Sequence, residues 1–422
     1  MRKITQFHDT DKPDPKNLLL AVDVSSRSLD LYSRYRLDGT EYEVAESFQN
    51  DLTTISDRLD EYAKQARRLG YNGLFLVLEP SGRYEKKLTQ AALQRGYSLW
   101  TVNPERMYKA GVVYHGDDSK SDPLDGPVIY MMARMGKVSR LVPLPPQWQR
   151  LRQLGQWLED CTLAAADTRI RIGGIRRELF LDYDQRSDLT WGPTGQTIQH
   201  LFGFDPWRIT RGSYNQFVAQ VKAHRTSIPE RCLARIWSQA QSSSTAPMPA
   251  DQRRSASDQL NHLWRIWSDH AERKQQLERQ MIEIVDELDS DHWIPPLFSG
   301  FSPRMRAKIL GETGPLRQFP HWRALLAYSG LKVRMRRSGK YCGKDKITKK
   351  GRILLRKYLG QAAFSLLRKD RILGPYYHRK LDEGMPAGKA KVACMRKLVK
   401  ILYGAAKSSE QFNPERIYRC AG

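Results

Sequence analysis

Apolar positions along the chain change period several times, and each change marks an element. "NLLLAVDVSS" (17–26) is a short apolar run closed by two serines, which predicts a buried strand. "LDLYSRYRLDG" (29–39) predicts a second strand that turns at Asp38-Gly39, and "EYEVAESFQ" (41–49) fits a third. Residues 51–69 then place Leu52, Ile55, Leu59, Tyr62 and Ala66 at helical spacing, with Gly70 as a stop. "GLFLVLEPSG" (73–82) is another buried-strand run. Helical "YEKKLTQAALQR", a strand in "YSLWTVN" and a helix from Pro123 to Met135 follow. Antiparallel strands followed by alternating helices and strands predict an α/β domain over 17–140, a mixed sheet flanked by helices.

Residues 147–180 read as helix, interrupted at Gly173-Gly174. The stretch 182–252 is weakly patterned and ends in "SSSTAPMPADQ", a linker by composition. From Asp258 to Leu288 an a/d-like series runs through Leu263, Trp267, His270, Lys274, Leu277, Met281, Ile284 and Leu288. One reading is an amphipathic helix packed on its own domain. The other, which is preferred, is a two-helix coiled-coil arm that also serves a dimer. These features define a helical coiled-coil region over 147–290, with an insertion at about 182–252, and a mainly helical last domain over 291–422. Near its start, "FSGFSPRMRAKILGETG" resembles half of a helix-hairpin-helix, whose glycine turn offers backbone N–H groups to phosphates; Ser302 stands where a second glycine is usual.

Charge changes this picture. The chain of 422 residues carries a net +24, and residues 331–422 hold 25 Lys and Arg against 6 Asp and Glu. Such a bias calls for a polyanionic partner. Its cations are interleaved with Gly, Tyr and apolar residues rather than laid on one amphipathic face, so nucleic acid is preferred to a membrane surface. No apolar run approaches the ~20 residues of a bilayer span, and the first residues lack a signal-peptide core. Five scattered cysteines without a C-x-x-C pair argue against a disulfide framework and a structural zinc site, and point to a reducing cytoplasm.

Two chemical groupings stand out. Asp23 lies in an apolar strand and Glu79 follows another, settings that are costly for a charge unless something offsets it. Asp122 and Asp125 are three residues apart in "KSDPLDGPVIY", on one face of a helix starting there. Converging, these four carboxylates offer hard oxygen ligands for Mg²⁺ in a two-metal phosphoryl-transfer site. Each has a plainer reading: Asp122 as a helix N-cap, Asp125 as a first-turn acid, Glu79 as a cap for the next helix. Asp117 and Asp118 read as loop acids.

The second grouping is "RMRRSGKYCGKDKITKKGR" (334–352), where Asp345 is the single acid. Ser338 there is either a turn residue in a basic loop or a nucleophile. No histidine lies within ten residues of it, so a base or metal from elsewhere must activate the hydroxyl. Arg334, Arg336, Arg337 and Lys340 would then stabilise charge on phosphoryl oxygens. Lys344, Lys346, Lys349, Lys350 and Arg352 read as phosphate contacts that position nucleic acid without reading its sequence. Tyr341 is a rival nucleophile, but no Arg-His-Arg set accompanies it.

The stretches "LAVDVSSRSLDLY", "LVLEPSGRYEKKL", "TVNPERMYKA" and "SKSDPLDG" resemble the Asp-Glu-Asp-Asp (DEDD) transposases of the IS-one-ten type. So do "FSGFSPRMRAKILGETGPLRQFPHWRALLAYSGLKVRMRRSGK" and "AKVACMRKLVKILYGAAKSSEQFNPE" in the last domain. The resemblance covers roughly 17–140 and 293–415. It departs at Gly126, where an alanine usually follows the last Asp, and at Ser302. It implies a RuvC-like, RNase H-type fold for the first domain, Mg²⁺ on Asp23, Glu79, Asp122 and Asp125, and Ser338 as the nucleophile of a covalent phosphoserine intermediate. It also implies DNA recombination between donor and target duplexes that moves an insertion element, guidance by a structured non-coding bridge RNA, a dimer or tetramer, and a nucleoid-associated place in a bacterial cytoplasm. Three other readings remain open: a Piv-type invertase without RNA, a metal-dependent junction-resolving nuclease with Ser338 structural, and a nucleic-acid-binding protein whose catalytic domain is inactive. The four intact acids count against the last.

Overall fold

The computed structural model describes residues 14–80, 82–115, 125–183, 187–246, 248–288, 299–334, 337–338, 341–342 and 346–408. They fall into two compact units, 1–143 and 144–422.

The first unit is a six-stranded sheet between helices. Its elements are β1 (Asn17–Val24), β2 (Ser28–Leu37), β3 (Thr40–Gln49), α1 (Leu52–Arg68), β4 (Gly73–Leu78), α2 (Lys86–Gln94), β5 (Leu99–Val102), α3 (Pro104–His115), α4 (Asp125–Arg134) and β6 (Val138–Leu141). The strand order is β3-β2-β1-β4-β5-β6. The meander β1–β3 is antiparallel, β1, β4 and β5 run parallel, and β6 closes the edge antiparallel to β5.

Alternation along β1 assigns its two faces. Leu18, Leu20, Val22 and Val24 pack with Ile55, Leu59 and Leu88 of α1 and α2. Leu19 and Ala21 join Tyr32, Phe75, Val77 and Trp100 beneath Val128, Ile129 and Met132 of α4. Strands buried on both faces explain the unbroken apolar runs in the sequence. The sequence missed α3, whose apolar residues form only a weak stripe, and β6, which has only four residues.

The second unit opens with α5 (Pro146–Leu179), which continues through Gly173-Gly174. Buried Ile172, Arg176 and Leu179 flank the pair, so packing outweighs a cost of about 1 kcal/mol per helical glycine. The antiparallel partner of α5 is α11 (Ala250–Leu288) of the same chain. The seam residues Leu263, Leu277, Met281, Ile284 and Leu288 are buried, and Trp267, His270 and Lys274 half-buried.

Between them the weakly patterned stretch folds into α6 (Ser187–Trp191), α7 (Pro193–Phe202), α8 (Pro206–Ile209), α9 (Tyr214–His224) and α10 (Glu230–Ser244). Phe180, Ile198, Phe202, Phe204, Phe217 and Leu260 form their core. Helices of four to fifteen residues give few turns over which a period can show.

The remainder is α12 (Pro303–Thr313), α13 (Trp322–Tyr328), β7 (Val333–Arg334), β8 (Arg337–Ser338), β9 (Tyr341–Cys342), β10 (Lys346–Ile347), α14 (Ile353–Ser365), α15 (Gly374–Asp382) and α16 (Ala387–Lys407). Its core is continuous with that of the long pair: Leu151, Leu158, Met281 and Ile284 cluster with Leu310, Leu359, Leu398 and Leu402. The helical region and the last domain therefore share one interior. Ser302 is the N-cap of α12, its hydroxyl accepting from the Met305 N–H at 3.3 Å, which accounts for serine where the motif has glycine. Among the described residues no helix is long and apolar enough to cross a membrane.

Candidate functional site

Strand register brings two of the four expected acids together. Val22 of β1 pairs with Leu78 of β4, and Asp23 and Glu79 each follow by one residue. Both therefore stand at the carboxyl ends of adjacent parallel strands, on the face that Leu19, Ala21, Phe75 and Val77 present to α4. The chain passes from one side of β1 to the other here, the kind of switch point where open α/β sheets bind ligands. Both acids are half-buried, and Asp23 Oδ1 accepts from the Val24 N–H at 2.8 Å.

Asp125 opens α4, which packs along β1 and β2. The next residue explains how closely. A Cβ on Gly126 would lie 2.8 Å from Tyr32 Cβ, so the glycine that departs from the family pattern lets the helix start settle on β2. Tyr32 is opposite Ala21, two residues before Asp23 on the same face. Asp125 is thus delivered to the Asp23 end of the sheet. Burial pushes the Tyr32 phenol up to about 12, against the nearby Arg34 that lowers it, so Tyr32 is a neutral wall at physiological pH. Asp122, Asp117 and Asp118 lie outside the described residues.

The sequence reading overlooked Asp30. It is directly opposite Asp23 in the β1–β2 ladder, on the same face. Like charges so placed repel. The signal was available, because a two-strand meander turning at residues 25–27 puts position 30 across from 23, but it required the register.

All these side chains offer carboxylate oxygens, the donors Mg²⁺ favours. Among the described residues, however, no three His, Cys, Asp or Glu gather closely enough to hold a metal by themselves.

The second unit presents the basic segment as a hairpin within a hairpin rather than as an irregular loop. Its outer ladder pairs Val333 with Ile347 and Arg334 with Lys346. The inner ladder pairs Arg337 with Cys342 and Ser338 with Tyr341. Ser338 is the last strand residue before the tip. Arg336, Lys340 and Lys344 lie outside the described residues.

Below the ladders the two ends of the excursion, Gly330 and Gly351, meet almost without clearance. A Cβ on Gly351, at φ +145°, would lie 2.3 Å from the Tyr328 carbonyl oxygen and 2.7 Å from the Gly330 nitrogen. Gly330 has φ +69°, and a Cβ there would sit 3.0 Å from the Lys349 carbonyl carbon. Main-chain bonds close the neck: Lys349 N–H to Gly330 O at 3.0 Å, Thr348 N–H to Lys332 O at 2.8 Å, and Arg352 N–H to Tyr328 O at 2.8 Å. Arg356 donates to Ser329 O at 3.3 Å and to Lys349 O at 3.1 Å.

Arg352, expected to contact phosphate, sends its Nε to buried Glu312 of α12 at 2.7 Å. Burial works against the Arg352 charge, but the Glu312 contact outweighs it and holds the guanidinium above its ordinary value. Arg152 of α5 donates to the Gly311 and Glu312 carbonyls at 3.2 and 3.1 Å, tying the same turn to the long helix. Arg334, Lys346, Lys349 and Lys350 are exposed. Glu159 receives Lys357 and, at 3.2 Å, Tyr358, fixing α14 against α5.

Residues 298–378 match the transposase IS116/IS110/IS902 family. The matched segment contains α12, the whole nested hairpin, Ser338 and the neck that carries it, and it supports a DNA transposase or recombinase. No curated protein matches the chain. The first unit lies outside the matched residues.

Two outcomes follow. Gly351→Ala should force the neck open, and amide exchange over 331–348 should quicken about tenfold or more while the first unit is unaffected; unchanged exchange would contradict the close approach. Replacing Lys349 and Lys350 together by alanine should flatten the dependence of log K on log salt by up to about 1.8, two phosphate contacts' worth. An unaltered slope would mean that neither lysine meets phosphate.

Proposed function

We propose that the chain is a DNA transposase or site-specific recombinase that cuts DNA through a serine nucleophile, Ser338, assisted by Mg²⁺ held on Asp23, Glu79, Asp122 and Asp125. The observation that carries the reading is the position of Ser338: inside the segment that matches a transposase family and beside the tip of a cation-rich hairpin. The order β3-β2-β1-β4-β5, with acids at the ends of β1 and β4 and at the start of α4, supports a RuvC-like, RNase H-type first unit.

In this mechanism the Ser338 oxygen bonds to phosphorus as the bond to one sugar oxygen breaks. The cut linkage is conserved as a phosphoserine, and a sugar hydroxyl from another strand later displaces the serine, so strands exchange without an external energy source. Bound Mg²⁺ would supply charge stabilisation and a more acidic hydroxyl. Asp23 and Glu79 contribute oxygens from rigid strands, and Asp125 from a helix start held against Tyr32. Arg334 and Arg337, with Arg336 and Lys340, neutralise the phosphoryl oxygens. Lys346, Lys349 and Lys350 hold the backbone on either side.

This reading requires the serine and the carboxylates, from one chain or two, to reach a single phosphate. It extends to an insertion element moved between donor and target duplexes, to guidance by a structured non-coding RNA that reads sequence by base pairing while the protein reads backbone and shape, and to a dimer or tetramer. The strong positive charge of residues 331–422 suits a protein that holds several polyanions together.

Denaturing gels of the protein incubated with element-end DNA and Mg²⁺ test the proposal. Wild type should give a protein–DNA adduct, and Ser338→Ala none, with DNA binding retained. Asp23→Ala and Asp125→Ala should each lose Mg²⁺-dependent cleavage. Undiminished Mg²⁺-dependent cleavage by Ser338→Ala, with no adduct, would leave the nuclease reading, with water as the nucleophile; undiminished strand exchange would eliminate the covalent phosphoserine. Full activity in both aspartate variants would remove the metal from these residues.

A further inference from the structure

Inside the insertion, α7, the end of α9 and the middle of α11 enclose an open cleft of about 440 Å³, within the range of roughly 300–1,000 Å³ typical of small-ligand sites. Two kinds of flat surface line it. On α11, Trp264 and Trp267 have ring centres 5.1 Å apart. Behind them Trp191 stacks on Trp264 at 5.4 Å with the planes 7° apart, and the Arg169 guanidinium sits 4.4 Å from the Trp191 ring centre. Across the cleft, His200 of α7 and His224 of α9 stack at 4.8 Å and 24°.

The rim is polar. Exposed Gln196 and Gln275 bring amides, exposed Arg225 follows His224 at the end of α9, and exposed Glu272 of α11 adds one carboxylate. The two imidazoles present their faces to each other rather than their nitrogens to a common point, which does not suit a metal. Among the described residues no third ligand joins them. An aliphatic ligand would leave the amides and the arginine unmatched. A flat, edge-polar ligand with a single phosphate matches these features: aromatic faces to stack on, amides and the Glu272 carboxylate for the donors and acceptors of a base edge, and one cation for the phosphate.

We infer that this cleft takes one unpaired nucleotide of a single-stranded nucleic acid, its base against the tryptophan and histidine faces and its phosphate at Arg225. The site uses none of the residues of the catalytic reading, so either can fail without the other. It also gives the insertion a role distinct from that of the cationic hairpin: residues there meet backbone, whereas this cleft receives a base taken out of its stack.

The test uses the full-length protein and eight-nucleotide single strands of mixed sequence, one RNA and one DNA, each carrying 5-iodouracil for photocrosslinking and peptide mapping. A crosslink to the α11 peptide bearing Trp264 and Trp267 is expected, competed by unlabelled single strands but not by an equal amount of duplex. Arg225→Ala and Trp267→Ala should each weaken it about tenfold while crosslinks to residues 331–422 persist. Trp264 also packs on Phe204 of the insertion core, at 5.7 Å, so Trp267 and Arg225 are the cleaner probes. Crosslinking by RNA alone assigns the strand to RNA, by DNA alone to DNA, and each supports the site. Absence of the α11 crosslink with both probes, or its persistence at full strength in both variants, overturns the inference.

Discussion

The contact between Gly330 and Gly351 is the constraint on which the second unit's chemistry depends. Two backbones approach where no Cβ fits, and the outer ladder of Val333–Arg334 with Lys346–Ile347 begins just beyond that contact. Three arginines hold the neck and the turn beneath it. Arg356 caps the carbonyls of Ser329 and Lys349, and Arg352 is bound to Glu312. Arg152 ties the Glu312 turn to α5, whose own seam is filled by α11. The long helical pair is thus a rigid mount for a short cationic finger. A nucleophile benefits from such a mount, because small displacements of reacting atoms cost rate steeply.

A different constraint acts in the first unit. There the period-2 alternation of β1 and β4 and their parallel register decide that Asp23 and Glu79 share a face at the same end. Asp30 adds a third carboxylate in the same row. All three are half-buried, and in the proposed mechanism a divalent ion with its phosphate ligands is one that meets the chemistry of these oxygens. Gly126 is part of the same arrangement, since its missing Cβ lets the start of α4, which Asp125 opens, settle on Tyr32.

Much of this was legible in the sequence because long or strongly apolar elements carry their own period. The strands around Asp23 and Glu79, the helix of Ile55 and Leu59, and the Leu263–Leu288 seam were all readable from spacing. The seam's partner was not, because a heptad pattern says that a helix has an apolar stripe and not whose stripe it meets. Here α5 supplies it from the same chain. The insertion escaped notice because its helices are short and its core is built from scattered aromatics, Phe180, Phe202, Phe204 and Phe217. The hairpin escaped because its strands are two residues each and rich in cations. What makes them strands is the neck, a contact between residues 21 positions apart. Asp30 was hidden for a related reason: its meaning lies in a cross-strand register, not in its neighbours along the chain.

The central claim is that the strand-borne carboxylates and the finger's serine serve one phosphate. A structure of the assembly engaged on uncleaved DNA, with the scissile oxygen replaced by sulfur to slow turnover, measures this most directly. The account predicts the Ser338 oxygen about 3–3.5 Å from the scissile phosphorus, with Asp23, Glu79 and Asp125 of the same or a neighbouring chain around a metal on that phosphate. A serine remote from every such set of acids, in its own chain and in its neighbours, would contradict it.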